Sequence, residues 1–279
     1  RGPVGFTKTD LLTRKSKLQL FYFMLLMAFK RDRHYKDKSL AEVVLRHSPG
    51  EDMVEITKLF SSSAIACPYI DVASAKEVRK FFESVAASPV EPIGYLKGGW
   101  KTYLELMRNR IESNGEILTR TKVDKIIFRN GLAAGVEAGG AKYAADAVVC
   151  GVPFQQVPEI IDARRLGPEL SDYARRVEPT CGIVIDFALK KPVSRTRGVI
   201  MTAEPATMGC LISNIEPALA PEGKQLGTWF QFIRADKIGD RAHVNRQIEE
   251  LTDLIGRVFP GVWDAVSYTH LTLPTIYSV

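Results

Sequence analysis

Gly98 and Gly99 stand immediately before a run in which Trp100, Tyr103, Leu104, Met107 and Ile111 repeat at helical spacing. Two glycines let main chain approach a flat or phosphorylated ligand closely, and the amides of a helix N-terminus offer donors to its negative charge. A plain turn before a helix would use the same residues. The other reactive side chains form no constellation. His34, His47 and His243 lack metal-ligand spacing, and His270 falls in an anomalous tail. Cys67, Cys150, Cys181 and Cys210 lie far apart among apolar or small residues, with no C-x-x-C pattern. They are expected as buried free thiols, which suits a reducing, cytoplasmic setting. No metal site is expected. Nor is there a nucleophile elbow, a Walker loop or an H-E-x-x-H motif. Chemistry carried by a bound cofactor, with the protein supplying binding and orientation, is compatible with that inventory.

The elements around the glycine pair have a definite order. Asn114-Gly115 caps the helix, and "EILT" reads as a short strand. "KVDKIIF", Asn130-Gly131, "LAAGVEA", Gly139-Gly140 and "AKYAA" then read as an antiparallel meander, since Asn-Gly between apolar runs is a strong hairpin signal. "DAVVCGVP" follows, and its continuous apolar run suits a strand buried on both faces in a parallel sheet.

The residues before this block are helical in pattern. "SLAE" at Ser39–Glu42 and "SAKE" at Ser74–Glu77 are capping boxes, and Val78, Phe81, Phe82 and Val85 share one helix face. "EDMVEITKLFSSSAIACP" reads as another helix, stopped by Pro68. The residues after it alternate. Ile183, Ile185, Phe187 and Leu189 mark one buried strand face, and "RGVIMT", "MGCLIS" and "KQLGTWFQFI" continue an antiparallel sheet. A helix carrying Val244, Ile248, Leu251, Ile255 and Val258 on its inner face closes it.

The 279 residues suffice for one large domain or two smaller ones, and a net charge of +6 is unevenly spread. Arg14, Lys15 and Lys17 precede the apolar run Leu18–Phe29; Lys30, Arg31, Arg33, Lys36 and Lys38 follow it, diluted by Asp32 and Asp37. At about 18 Å such a helix is too short for a bilayer core of about 30 Å. Two readings remain open, a buried helix with solvated ends or an interfacial helix in peripheral contact with a membrane. The basic cluster has no nucleic-acid recognition motif, and no nucleic acid is expected as a partner. Residues 266–279, beginning "VSYTHLTLPT", change composition abruptly. They read as a one-frame translation of a transposase adapter used in DNA library preparation, and are expected to stand outside the native fold.

The order glycine pair, helix, strand, "VDKI"-led meander and "ADAVVCGVP" strand resembles the flavin-dependent amine oxidase and phytoene desaturase superfamily. The phytoene desaturase-related branch looks closest, through "SNIEPALAPEGKQL" at 213–226 and the long helical prelude, and the likeness covers roughly residues 35–265. It implies a mixed α/β and α+β chain, part of an FAD fold with two dinucleotide-binding regions and a substrate domain. Residues 1–93 would be the helical part of the substrate domain, 94–158 part of the FAD domain and 159–265 the antiparallel sheet of the substrate domain. The resemblance further implies FAD as cofactor, with the Val123 main chain at the adenine, Cys150, Gly151 and Val152 along the dinucleotide, and Gly98 and Gly99 on the flavin side. It assigns no catalytic side chain. The family's G-x-G-x-x-G fingerprint is absent from these residues, as is its glycine-rich C-terminal segment. The chain is therefore expected to be an internal part of a longer protein, unable to hold FAD alone. The implied activity is hydride removal from an apolar, isoprenoid-like small molecule, as in carotenoid biosynthesis. The alternatives are an amine or protoporphyrinogen oxidase-type enzyme, or a non-catalytic binder resembling Rab GDP-dissociation inhibitors.

Overall fold

The computed structural model describes residues 12–29, 31–48, 50–87 and 94–272. They divide into two compact units, one holding the described residues up to Gly99 and those from Thr180, the other Trp100–Pro179. Lys30 and the tail beyond Thr272 lie outside the described residues.

The first unit begins with four helices, α1 (Arg14–Phe29), α2 (Leu40–His47), α3 (Glu51–Ile65) and α4 (Ala75–Ala87). Leu20, Phe23 and Met27 of α1 pack with Leu40, Val43, Val44, Met53 and Val78 in one core. The capping box of α2 forms in both directions: the Glu42 amide donates to Ser39 Oγ at 3.2 Å, and the Ser39 amide to Glu42 Oε2 at 2.7 Å. At Ser74 the serine half is present at 3.4 Å, and Glu77 is held by Lys80 instead. α3 ends where Ala66 turns left-handed, two residues before Pro68. Phe60 and Phe82 meet edge-to-face at 5.3 Å and join α3 to α4.

The second unit contains α5 (Gly99–Glu112) from Trp100 onward and an antiparallel meander of β1 (Val123–Arg129), β2 (Leu132–Ala138) and β3 (Ala141–Ala144). Both turns have two consecutive positive φ angles, 51° and 83° at Asn130-Gly131, 56° and 80° at Gly139-Gly140. This is the type I′ geometry whose twist matches the strands it joins. The helices between Val157 and Arg176, which the sequence pattern does not announce, end in α6 (Pro168–Arg176), whose Tyr173 meets Phe154 edge-to-face at 4.9 Å.

Two expectations fail here. "EILT" and "DAVVCGVP" form no strand and join no sheet, and Val149 is 96% exposed. A buried parallel strand needs partners on both edges. The three strands of the meander pair only with one another, and no other described strand lies in this unit. For the same reason α5 buries no side chain, and Trp100 on its apolar stripe is 72% exposed.

The first unit resumes with a five-stranded antiparallel sheet in the order β5-β6-β7-β4-β8. Its strands are β4 (Cys181–Leu189), β5 (Ile200–Ala203), β6 (Ala206–Cys210), β7 (Gln225–Ile233) and β8 (Val266–Thr272). One face packs on α7 (Arg241–Val258): Ile183, Ile185, Phe187, Leu189, Trp229 and Ile233 meet Val244, Leu251 and Ile255 in a second core. The Asp240 carboxylate caps α7 by accepting from the His243 amide at 3.0 Å. Residues 266–272, expected outside the fold, form β8 on the free edge of β4. Val, Tyr and Thr suit a strand, and an open edge accepts any such segment through main-chain hydrogen bonds.

Candidate functional site: the open face of the sheet

Strand alternation that sends Ile183, Ile185 and Phe187 into the core sends Val184 and Asp186 to the opposite face. The register fixes their neighbours. Asp186, Thr228 and Cys210 lie in one rank across β4, β7 and β6; Val184, Phe230, Met208 and Met201 lie in the next. Phe232 follows, with its ring edge-to-face on Phe230 at 4.6 Å. Phe230 also lies over Gly182, where any Cβ would collide with its ring. Aromatic and thioether groups thus dominate this face, and Asp186 is its only carboxylate among the described strands.

α3 covers the β5 end, where Ser63 Oγ contacts Met201 Sδ at 3.4 Å. Beside it a cleft of about 410 Å³ lies between the helical layer and the sheet, with Tyr69 and Ile70 facing Ala203, Ala206 and Phe232. Two ion pairs tie its walls: Arg234 donates to both Asp71 carboxylate oxygens at 2.9 and 2.8 Å, and Lys58 meets Glu204 at 3.1 Å. The Arg234 guanidinium also lies 4.4 Å from the Tyr69 ring centre. Burial pushes the Tyr69 phenol up, although Arg234 opposes it.

At the β6 end, Tyr95 Oη and Cys210 Sγ are 3.5 Å apart. Burial first, then the thiol, pushes the Tyr95 hydroxyl up to about 12, and burial also raises Cys210. Both groups stay protonated near neutral pH, so neither serves there as an anion or a nucleophile.

The residues singled out by sequence divide between the two units. In the first, Gly98 and Gly99 have φ of 76° and 77°, left-handed values that favour glycine, and Gly99 opens α5. A Cβ on Gly99 would lie 3.0 Å from Leu219 Cδ2. In the second, Val123 opens β1 opposite Ala138 and is half-buried. Cys150 and Gly151 are exposed, outside any regular element, and Val152 is half-buried. The four cysteines are free thiols, as expected, but only Cys181 and Cys210 are buried; Cys150 is exposed because the strand meant to cover it is unpaired. No metal-holding cluster of His, Cys, Asp and Glu exists among the described residues. Tyr95 and Asp186 were not foreseen. The alternation that revealed the buried parity of β4 also marks Asp186, once the opposite parity is read.

The antiparallel sheet backed by a long helix and faced by a helical layer, and the separate unit that carries a meander, make up a fold shared with solved oxidoreductases. The chain belongs to the flavin-containing amine oxidoreductase family, whose model matches residues 1–276, and the cofactor of that class is FAD. An oxidoreductase from Methanosarcina mazei has the same fold at a TM-score of 0.77 and 21% identity, over 98% of this chain and 64% of its own. Putrescine oxidase bound to putrescine matches at a TM-score of 0.70 and 15% identity, over 94% of this chain and 62% of its own. A Rab GDI from Plasmodium falciparum matches at 0.51 and 10%, over 96% and 59%. This chain therefore spans less than two thirds of each of these structures. No curated protein matches it. The glycine pair before α5 is left-handed, and the glycine-rich pyrophosphate cradle of a dinucleotide site is not among these residues.

Proposed function

We propose that the protein to which these residues belong is an FAD-dependent oxidoreductase that takes hydride from an apolar, isoprenoid-like substrate. The observation that carries this reading is the half-buried apolar sheet face of Val184, Phe230, Met201 and Met208, which α3 covers only in part and which the buried Phe232 continues. Aromatic and thioether side chains bind extended hydrocarbon by contact area and adapt to its shape. FAD, when bound, would accept the hydride. The main chain at Gly98 and Gly99 would lie on the flavin side, with Val123 at the adenine and Cys150–Val152 along the dinucleotide.

A second reading rests on Asp186. One carboxylate, ranked with Thr228 on β7 and His270 on β8 beside the aromatic and thioether groups, is suited to hold a cationic amine, and putrescine oxidase shares the fold. The two readings separate in one experiment. The whole protein is purified, its flavin absorbance recorded, and anaerobic bleaching followed with an acyclic polyene and with a primary amine. Bleaching by the polyene alone, unchanged in Asp186→Asn, supports the first reading. Bleaching by the amine, with kcat/KM reduced about ten- to hundred-fold in Asp186→Asn, replaces it with the second. A protein that retains no flavin overturns both and leaves a binding role.

A further inference from the structure

Helix α1 buries Ser16, Leu20, Phe23 and Met27 on one side. Its other side is just as apolar and is exposed, with no cover among the described residues. Leu18, Phe21, Tyr22, Leu25 and Phe29 follow the i, i+3, i+4, i+7, i+11 pattern, and Phe21 and Phe29 are 60% and 81% exposed. A helix apolar all round is ordinarily buried all round, so the open stripe calls for a second apolar environment. No acidic residue interrupts α1, while Arg14, Lys15 and Lys17 lie in its first turn and Arg31 and Arg33 follow its last.

A separate observation says what that environment is. Where the chain leaves α1 and enters α2, a recess of about 460 Å³ opens on the surface. Its floor is Leu26, Tyr35 and Val43, held in place by the Tyr35 hydroxyl donating to the Leu26 carbonyl at 2.6 Å. Its rim carries His34, Lys38, Arg46 and His47, all exposed, and among the described residues one carboxylate, Glu42. Glu42 is engaged by the Ser39 amide in the helix cap. The recess is a basic cup with an apolar base, at the end of an apolar stripe flanked by cations. An apolar stripe with cations at both of its ends is the pattern of a helix lying in an anionic bilayer interface, and the recess adds a place for a headgroup.

We infer that α1 lies in the interface of an anionic phospholipid bilayer, its Leu18–Phe29 stripe among the acyl chains, with a headgroup phosphate in the Lys38–Arg46 recess. This goes beyond the redox reading and holds or fails independently of it. Stripe and recess contribute by different physics, one by buried apolar area and the other by charge.

The test is flotation of the chain with vesicles of phosphatidylcholine alone and of phosphatidylcholine mixed with phosphatidylglycerol. The expected result is flotation with the anionic vesicles and not with the neutral ones. Phe21→Ser/Phe29→Ser should abolish it. Lys38→Ala/Arg46→Ala should raise the lipid needed for half-binding about twenty-five-fold, at roughly five-fold per charge removed. All four side chains are exposed, so both variants should keep the wild-type far-ultraviolet circular dichroism, which is recorded alongside. Equal flotation on neutral vesicles, or none on anionic ones, overturns the inference. So does displacement by inorganic phosphate, which would make the recess a free-anion site. A wild-type dimer that Phe21→Ser/Phe29→Ser converts to monomer also overturns it, since a second copy would then cover the stripe.

Discussion

At Gly209 the indole of Trp229 lies where a side chain would begin, and at Gly227 the ring of Phe187 does the same. These close approaches let two of the largest core side chains lie flat on the sheet beneath α7. Trp229 is completely buried, donates its Nε1 hydrogen to Thr207 Oγ1 at 3.1 Å and meets Phe259 edge-to-face at 5.8 Å. Gly209→Ala should therefore cost about 1–3 kcal/mol, because the indole cannot move without breaking these contacts. Urea denaturation checks it: the midpoint falls while the slope with denaturant stays constant. Individual residues were legible in the sequence where one local rule governs them. Ser39 and Glu42 form their cap, and Ile183, Ile185 and Phe187 are buried, because three-residue spacing and strand parity suffice. Asp186 and Tyr95 escaped because their significance depends on neighbours more than twenty residues away, in β6 and β7.

Among the elements, the segment between α3 and α4 is fastened to the end of β7 by Asp71 and Arg234. The two hydrogen bonds from Arg234 hold the Asp71 carboxyl below its ordinary value of 3.8. A depressed folded value means that the pair stabilises the fold above pH about 4 and that this contribution is lost as pH falls through the folded value. Asp71→Asn should flatten the acid limb of stability against pH and cost at most about 1 kcal/mol at neutral pH, since both partners are substantially exposed. Thermal unfolding between pH 2 and 7 reads both effects; an unchanged acid limb would show that Asp71 plays no part in it. Elements with their partners close in sequence were legible: the meander, the four opening helices and α7 all appear where periodicity and turns place them. "EILT" and "DAVVCGVP" were misjudged because apolarity reports a strand's wish for cover, not the presence of neighbours. β8 is the converse case. Its pairing uses main chain, and five of its seven residues are exposed, so composition said little about whether the edge of β4 would accept it.

For the whole molecule, the two units differ in how well they satisfy their apolar residues. The first has two cores, one among the opening helices and one between sheet and α7. The second buries few large side chains, and α5 presents Trp100, Leu104, Leu106 and Met107 to solvent. Hydrogen exchange should divide along the same line. Amides at 147–150, outside any strand or helix, should exchange at the rate of an unprotected peptide, and those of β4 and β7 should be the slowest in the protein. Protection at 147–150 comparable to β4 would mean that another strand pairs there. The three tryptophans carry a further consequence of this division. Trp229 and Trp263 belong to the unit with the packed cores, the first wholly buried and the second half-buried, while Trp100 is the sole indole of the other unit. The chain thus holds its own pair of optical reporters. A quencher in solution dims Trp100 and spares Trp229, and whatever comes to cover α5 announces itself as a blue shift in the quenchable share of the emission.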